Sequence, residues 1–186
     1  MKYCRTHLLK DGRECCIRSG TKADGERALA NFHLVHEQTD FLLSYPEELV
    51  LTPPEEGELL ERAAESGIAA ELLAETDGVI AGLAGVHPVG EKEKLRHRAE
   101  LGISLDSSFW GLGIGRALLD ACIECAERGG YTQLELGVVS DNSRAIELYR
   151  KAGFVEYGRN PKGFLMRTGE YQELVLMRRD LSVSGV

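Results

Sequence analysis

The chain has 186 residues, 43% of them hydrophobic, with 22 Lys and Arg against 30 Asp and Glu and a formal charge of -8. That length suits one domain with a real apolar core, so residues 1–186 are expected to fold as a unit with peripheral ends at 1–13 and 181–186. The acidic balance argues against nucleic acid as a partner, and no apolar run approaches the roughly 20 residues that span a membrane.

Glu14 to Arg18 reads as a short strand, and Thr21 as the N-cap of a helix to about Gln38 with Ala28, Leu29, Phe32 and Val35 on one face. Residues 39–52 look irregular. Pro53 and Pro54 break the chain before a second helix, about Glu55 to Ser66, that buries Leu59, Leu60 and Ala63. Ala69 to Glu75 and Val79 to Val86 flank Thr76-Asp77-Gly78, a hairpin signal. Val79 to Val86 is apolar on both faces, as in a central strand. Leu95 to Leu105 forms the next strand. Gly111, Gly113 and Gly115 then open a long helix whose Ile114, Ala117, Leu118, Ala121, Cys122 and Cys125 make one apolar stripe, ended by Gly129-Gly130. Leu134, Leu136 and Val138 alternate as a strand. Asp141 or Ser140 caps a helix that Gly153 stops. Two strands close the chain, near 154–158 and 171–178, with a loop over 160–170 between them.

Three glycines at a helix start expose backbone N–H groups where the helix carries partial positive charge, which makes a site for phosphate or pyrophosphate. The stretch Trp110 to Gly115, together with Asn142, Tyr149, Gly153 and Phe154, resembles the two cofactor motifs of the GNAT superfamily of acyl-coenzyme A-dependent N-acetyltransferases. Trp110 stands where that family usually has Gln or Arg. The resemblance is specific over Glu100 to Phe154 and extends from about Glu14 to Leu181. It implies an α+β fold with a mixed, mostly antiparallel sheet of about seven strands, the fourth and fifth splayed apart.

The resemblance also implies roles. Acetyl-CoA is the implied cosubstrate, its pyrophosphate held by Gly111, Leu112, Gly113, Ile114, Gly115 and Arg116. Its pantetheine arm pairs with Ile103 and Leu105 and meets Asn142 and Tyr149. Gly102 and Gly137 are placed to permit a bulge at the splay. Tyr149 is the implied proton donor to the departing thiolate. A backbone N–H near Leu105 meets the oxyanion, and Glu100 takes the proton of a primary amine or attracts it. The acceptor is walled by about Phe32 to Pro54 and by Gly158 to Tyr171, with Asp40, Glu47 and Glu48 supplying negative charge. A small molecule, a polyamine, an antibiotic or a protein N-terminus all suit this description, and a homodimer stays open.

Other chemistries fare worse. Cys122 and Cys125 fall on the apolar stripe, Cys15-Cys16 lacks a matching pair, and His33 and His36 lack the order of a zinc protease, so no metal is expected. Gly111-x-Gly113 begins a dinucleotide pattern, but Arg116 stands where its third glycine belongs. A non-catalytic acyl-CoA sensor or interaction module is the alternative to an enzyme. The five cysteines lack the spacing of a disulfide framework, and Met1 to Lys10 lacks the apolar stretch of a signal peptide, so the cytoplasm is the expected compartment.

Overall fold

Alternation and turn chemistry organise the chain around one eight-stranded sheet in the order β1-β2-β3-β4-β5-β6-β8-β7. The computed structural model describes residues 1–182. Its strands are β1 (Cys4–Leu8), β2 (Glu14–Ser19), β3 (Ala70–Thr76), β4 (Val79–Pro88), β5 (Arg98–Leu105), β6 (Gln133–Val139), β7 (Val155–Leu165) and β8 (Tyr171–Asp180). Its helices are α1 (Gly25–Gln38), α2 (Pro53–Glu65), α3 (Ile114–Arg128) and α4 (Ser143–Lys151). Every neighbouring pair is antiparallel except β5 with β6. That parallel pair holds register at three positions, Arg98 with Gln133 through Glu100 with Glu135, and then parts.

One face of the sheet packs Ile17, Leu72, Val86, Ala99 and Leu101 against the α3 stripe. Cys122 and Cys125 lie in that core, fully buried as the apolar stripe requires. The other face packs Leu73 and Ile80 against Ala28 of α1 and Leu60 of α2. α1 and α2 cross so closely that a Cβ at Gly25 would lie 2.0 Å from the Pro53 carbonyl oxygen. Asp77 and Gly78 both take positive φ, the geometry of the tight hairpin that their pairing signals.

Several expectations need correction. Residues 1–13 are not peripheral: they form β1, and Met1, Tyr3 and Leu9 are buried. This extra strand raises the count from seven to eight and makes β5 and β6 the splayed pair. At the other end, Leu181 is buried and its N–H donates to the Thr132 carbonyl; residues 183–186 lie outside the described ones. Pro53 and Pro54 are the first turn of α2 rather than a break before it, because a proline there lacks only an N–H that would go unpaired. Leu59 is exposed, turned off the α2 stripe of Leu60 and Ala63. Asn142, not Asp141 or Ser140, caps α4, its Oδ1 accepting from the Ala145 N–H at 3.1 Å. The last two strands form a long hairpin, leaving a loop of residues 166–170 only. The register runs unbroken through Gly102 and Gly137, so neither makes a bulge.

Candidate active site

The turn from β5 into α3 is built by two glycines in the left-handed region, Gly111 at φ 83° and Gly113 at φ 105°. A Cβ on either would meet nothing within 4 Å, so the space above the turn is open. The N–H groups of Gly111, Leu112, Gly113, Ile114 and Gly115 have no partner among the described residues. They form a run of donors at a helix N-terminus, a cradle for a phosphate oxygen.

The splay supplies a second set of free backbone groups. Asp106 N–H donates to Ala81 O at 2.9 Å and Val89 N–H to Arg98 O at 3.1 Å. With the β4–β5 register, these bonds make the even-numbered residues of β5 the ones that pair with β4. Ile103 and Leu105 therefore turn their backbone groups toward β6, which has moved away. On β6, Ser140 N–H donates to Glu173 O at 2.9 Å, so Gly137 and Val139 face the gap from the other side. Leu105 O is occupied by Trp110 Nε1 at 3.0 Å, and Val139 O by Asn142 N–H at 2.9 Å. The Leu105 N–H and both backbone groups of Ile103 stay available to an extended ligand.

Cradle and splay join in one groove of about 630 Å³. Of the residues singled out from sequence, Ile103, Leu105, Gly111, Gly113, Gly115, Arg116, Asn142 and Tyr149 line it. Leu112 and Ile114 belong to the same turn, but Ile114 is wholly buried and leaves only its backbone to the cradle. Tyr149 is 7% exposed and packs on Phe154, ring centroids 5.9 Å apart. Its hydroxyl has no hydrogen-bond partner among the described residues, and burial, reinforced by Cys122, pushes the phenol well above its usual range.

Glu100 does not line the groove. Side-chain alternation sends it to the α1/α2 face, across from His87. His87 Nε2 meets Glu71 Oε1 at 2.7 Å, and that bond, with the charges of Glu71 and Glu100, raises the imidazole's pKa against the effect of burial. On the same face Gly102 leaves open space and Ser104 reaches the groove. The groove thus passes through the splay to Val35, Thr39, Phe41 and Leu42 at the end of α1.

A neighbouring cavity of about 530 Å³ is lined by Asp40, Asp141, Glu170 and Gln172 among others. It lies between the segment after α1 and the β7–β8 tip. Those two segments touch: Arg167 stacks 3.7 Å from the Tyr45 ring centroid, its N–H donates to Tyr45 Oη at 3.1 Å, and its guanidinium pairs with Glu47. Glu48 accepts from the Tyr45 N–H at 2.8 Å. Asp40 alone of the three expected carboxylates lines the cavity.

Among the groove residues that sequence reasoning missed are three cations, Lys10, Arg144 and Lys151. Arg144 sits inside the quoted second motif and stacks over Trp110, 4.7 Å from its ring centroid. Lys10 had a signal too, the Asp11-Gly12 pair between two apolar runs, which is the hairpin cue already used at Asp77-Gly78.

Residues 34–154 match the acetyltransferase (GNAT) family. The chain is 33% identical over 120 residues to the L-amino acid N-acetyltransferase AaaT of Escherichia coli, covering 64% of this chain and 73% of that one. The acetyltransferase of the GNAT family from Streptococcus pneumoniae superposes with TM-score 0.85 at 29% identity, over 90% of this chain and 99% of that one. The fold is shared by yncA of Salmonella typhimurium, whose structure holds its cofactor acetyl-CoA, with TM-score 0.79 at 22% identity over 91% of this chain and 95% of that one. A donor-lined turn at a helix start, a parted parallel strand pair beside it and this match over most of the chain agree: the protein belongs to the acetyltransferase (GNAT) family, which takes its acetyl group from acetyl-CoA.

Proposed function

We propose that this protein transfers the acetyl group of acetyl-CoA directly to a primary amine, on a small molecule or a protein N-terminus. The observation that carries this reading is the continuity of one groove from the Gly111–Gly115 cradle, along the free edge of β5, past Tyr149 and through to the α1 end. The pyrophosphate suits the cradle, and the two pantetheine amides suit the unpaired groups of Ile103 and Leu105. Attack on the thioester builds charge on the carbonyl oxygen, which the Leu105 N–H is placed to meet. The thiolate then leaves with a proton from Tyr149. Glu100, on the acceptor face with His87 beside it, takes up the amine's proton through water.

The likeness to an L-amino acid N-acetyltransferase favours an α-amino group as acceptor. Asp40, Asp141 and Glu170 around the neighbouring cavity supply the charge that attracts an ammonium ion.

Calorimetric titration with acetyl-CoA, using NADH as the control, tests the cofactor assignment. Micromolar binding that Gly113→Glu abolishes is the expected result, because a side chain there occupies the cradle. Acetyl-CoA binding that Gly113→Glu leaves unchanged would place the cofactor elsewhere. A screen of amines by thiol release follows; tight binding with no turnover on any amine would favour a sensor.

A further inference from the structure

Four cations line the groove, and they are not equivalent. Arg116 Nε lies 2.8 Å from Asp120 Oδ2, and Lys151 Nζ lies 3.2 Å from Glu147. Arg144 spreads over the Trp110 ring. Lys10 has no carboxylate partner among the described residues. Its neighbour Asp11 is consumed by Arg13, which holds Oδ2 at 2.7 Å through Nη2 and 2.9 Å through Nε.

The position of Lys10 is also fixed. Its N–H donates to the carbonyl of Leu112, within the glycine turn, at 3.2 Å. On one side Leu9 is buried in the core and bonds Arg13 O through its N–H at 2.7 Å. On the other side Arg13 lies over Phe109, 5.6 Å from the ring centroid, and reaches Asp77 at 3.2 Å. The β1–β2 turn is thus bolted to the loop before α3 and to the β3–β4 turn, with a lysine left at the rim of the cradle.

We propose that Lys10 binds a phosphate group of acetyl-CoA, which makes the β1–β2 hairpin a part of the cofactor site. The inference rests on the groove being the acetyl-CoA site. Lys10 is exposed at this rim, and no carboxylate among the described residues neutralises it. An anionic ligand lying on the adjacent N–H groups would meet that uncompensated charge.

The test is calorimetry with acetyl-CoA and acetyl-dephospho-CoA on the native protein, Lys10→Ala and Lys10→Arg. Lys10→Ala is expected to weaken acetyl-CoA binding about two- to fivefold, the upper part of the range for an exposed ion pair, and Lys10→Arg to restore most of it. If Lys10→Ala weakens both ligands alike, the contact is to the pyrophosphate; if it weakens acetyl-CoA alone, the contact is to the 3′-phosphate. An unchanged dissociation constant for Lys10→Ala overturns the proposal. So does a loss that Lys10→Arg fails to restore, since packing of the turn would then be the cause. Gly113→Glu separates this failure from that of the groove itself: if Gly113→Glu abolishes binding while Lys10→Ala is silent, only the lysine assignment falls.

Discussion

In the proposed transfer Tyr149 acts as a phenol when the thiolate leaves, and its surroundings favour that form. Burial raises its pKa above the ordinary value of about 10. A free thiol has a pKa near 8.5, so full transfer from this tyrosine to a thiolate runs uphill. In the proposed reaction its hydroxyl bonds the sulfur as charge develops and supplies the proton as the carbon–sulfur bond breaks, with solvent restoring the phenol and drawing the uphill transfer forward. Tyr149→Phe keeps the ring against Phe154 and removes that donor. The rate constant kcat is expected to fall about 100-fold or more, with little change in acetyl-CoA binding. The native profile should also lack a basic limb from this group below about pH 10. Initial rates of thiol release from pH 6 to 10 check both; a Tyr149→Phe enzyme as fast as the native one refutes the role.

The parted strands β5 and β6 make a prediction of their own. Along β5, Gly102 and Ser104 give their N–H groups to β4, while Ile103 and Leu105 give theirs to the gap. Amide hydrogen exchange should therefore alternate: slow at Gly102 and Ser104, fast at Ile103 and Leu105. Acetyl-CoA should slow Ile103 and Leu105 and leave the even pair unchanged. Equal protection at all four positions without ligand would mean that the strand edge is closed. Much of this arrangement was legible in sequence. The glycine run, the apolar stripe of α3 and the Asp77-Gly78 hairpin are local signals, and each became the element it announced. What was not legible is long-range. β1 is short and mostly exposed on its outer side, so its alternation is weak and its role appears only when Lys10 meets Leu112. The β7–β8 hairpin crosses Asn160, Pro161 and Gly163, residues that read as a loop. Asn160 pairs with Leu174 and Phe164 with Gln172, and residues 161–163 fall in the register irregularity between those pairs, so the breakers kink the strand without ending it.

The helical layer is fastened to the sheet by charge as well as by Leu60 and Ala28. Arg18 of β2 grips Asp24, just before α1, with 2.7 Å bonds to both carboxylate oxygens, and also Glu75 of β3 at 2.7 Å. The Asp24 side chain is 5% exposed, and the Arg18 bonds hold its carboxyl well below the usual carboxylate range. A depressed pKa in the folded state stabilises the fold above the unfolded value of about 3.9; that contribution drains away as the pH falls from there through the folded value. Asp24→Asn should cost about 2–4 kcal/mol at pH 7, with Glu75 left to compensate Arg18 in part. The variant should also lose less stability than the native protein between pH 5 and pH 2. Urea midpoints across that range check the sign; parallel curves would show that the pair does not drive acid unfolding.

The chain has one tryptophan, and the fold has put it at the lip of the groove, its indole N–H on Leu105 and its ring beneath Arg144. Ligand that draws the guanidinium toward phosphate, or settles along β5, changes the polarity around that indole. The protein therefore carries its own optical probe of occupancy. Emission from this single ring is expected to change as the groove fills, with no label, no coupling enzyme and no acceptor amine in hand.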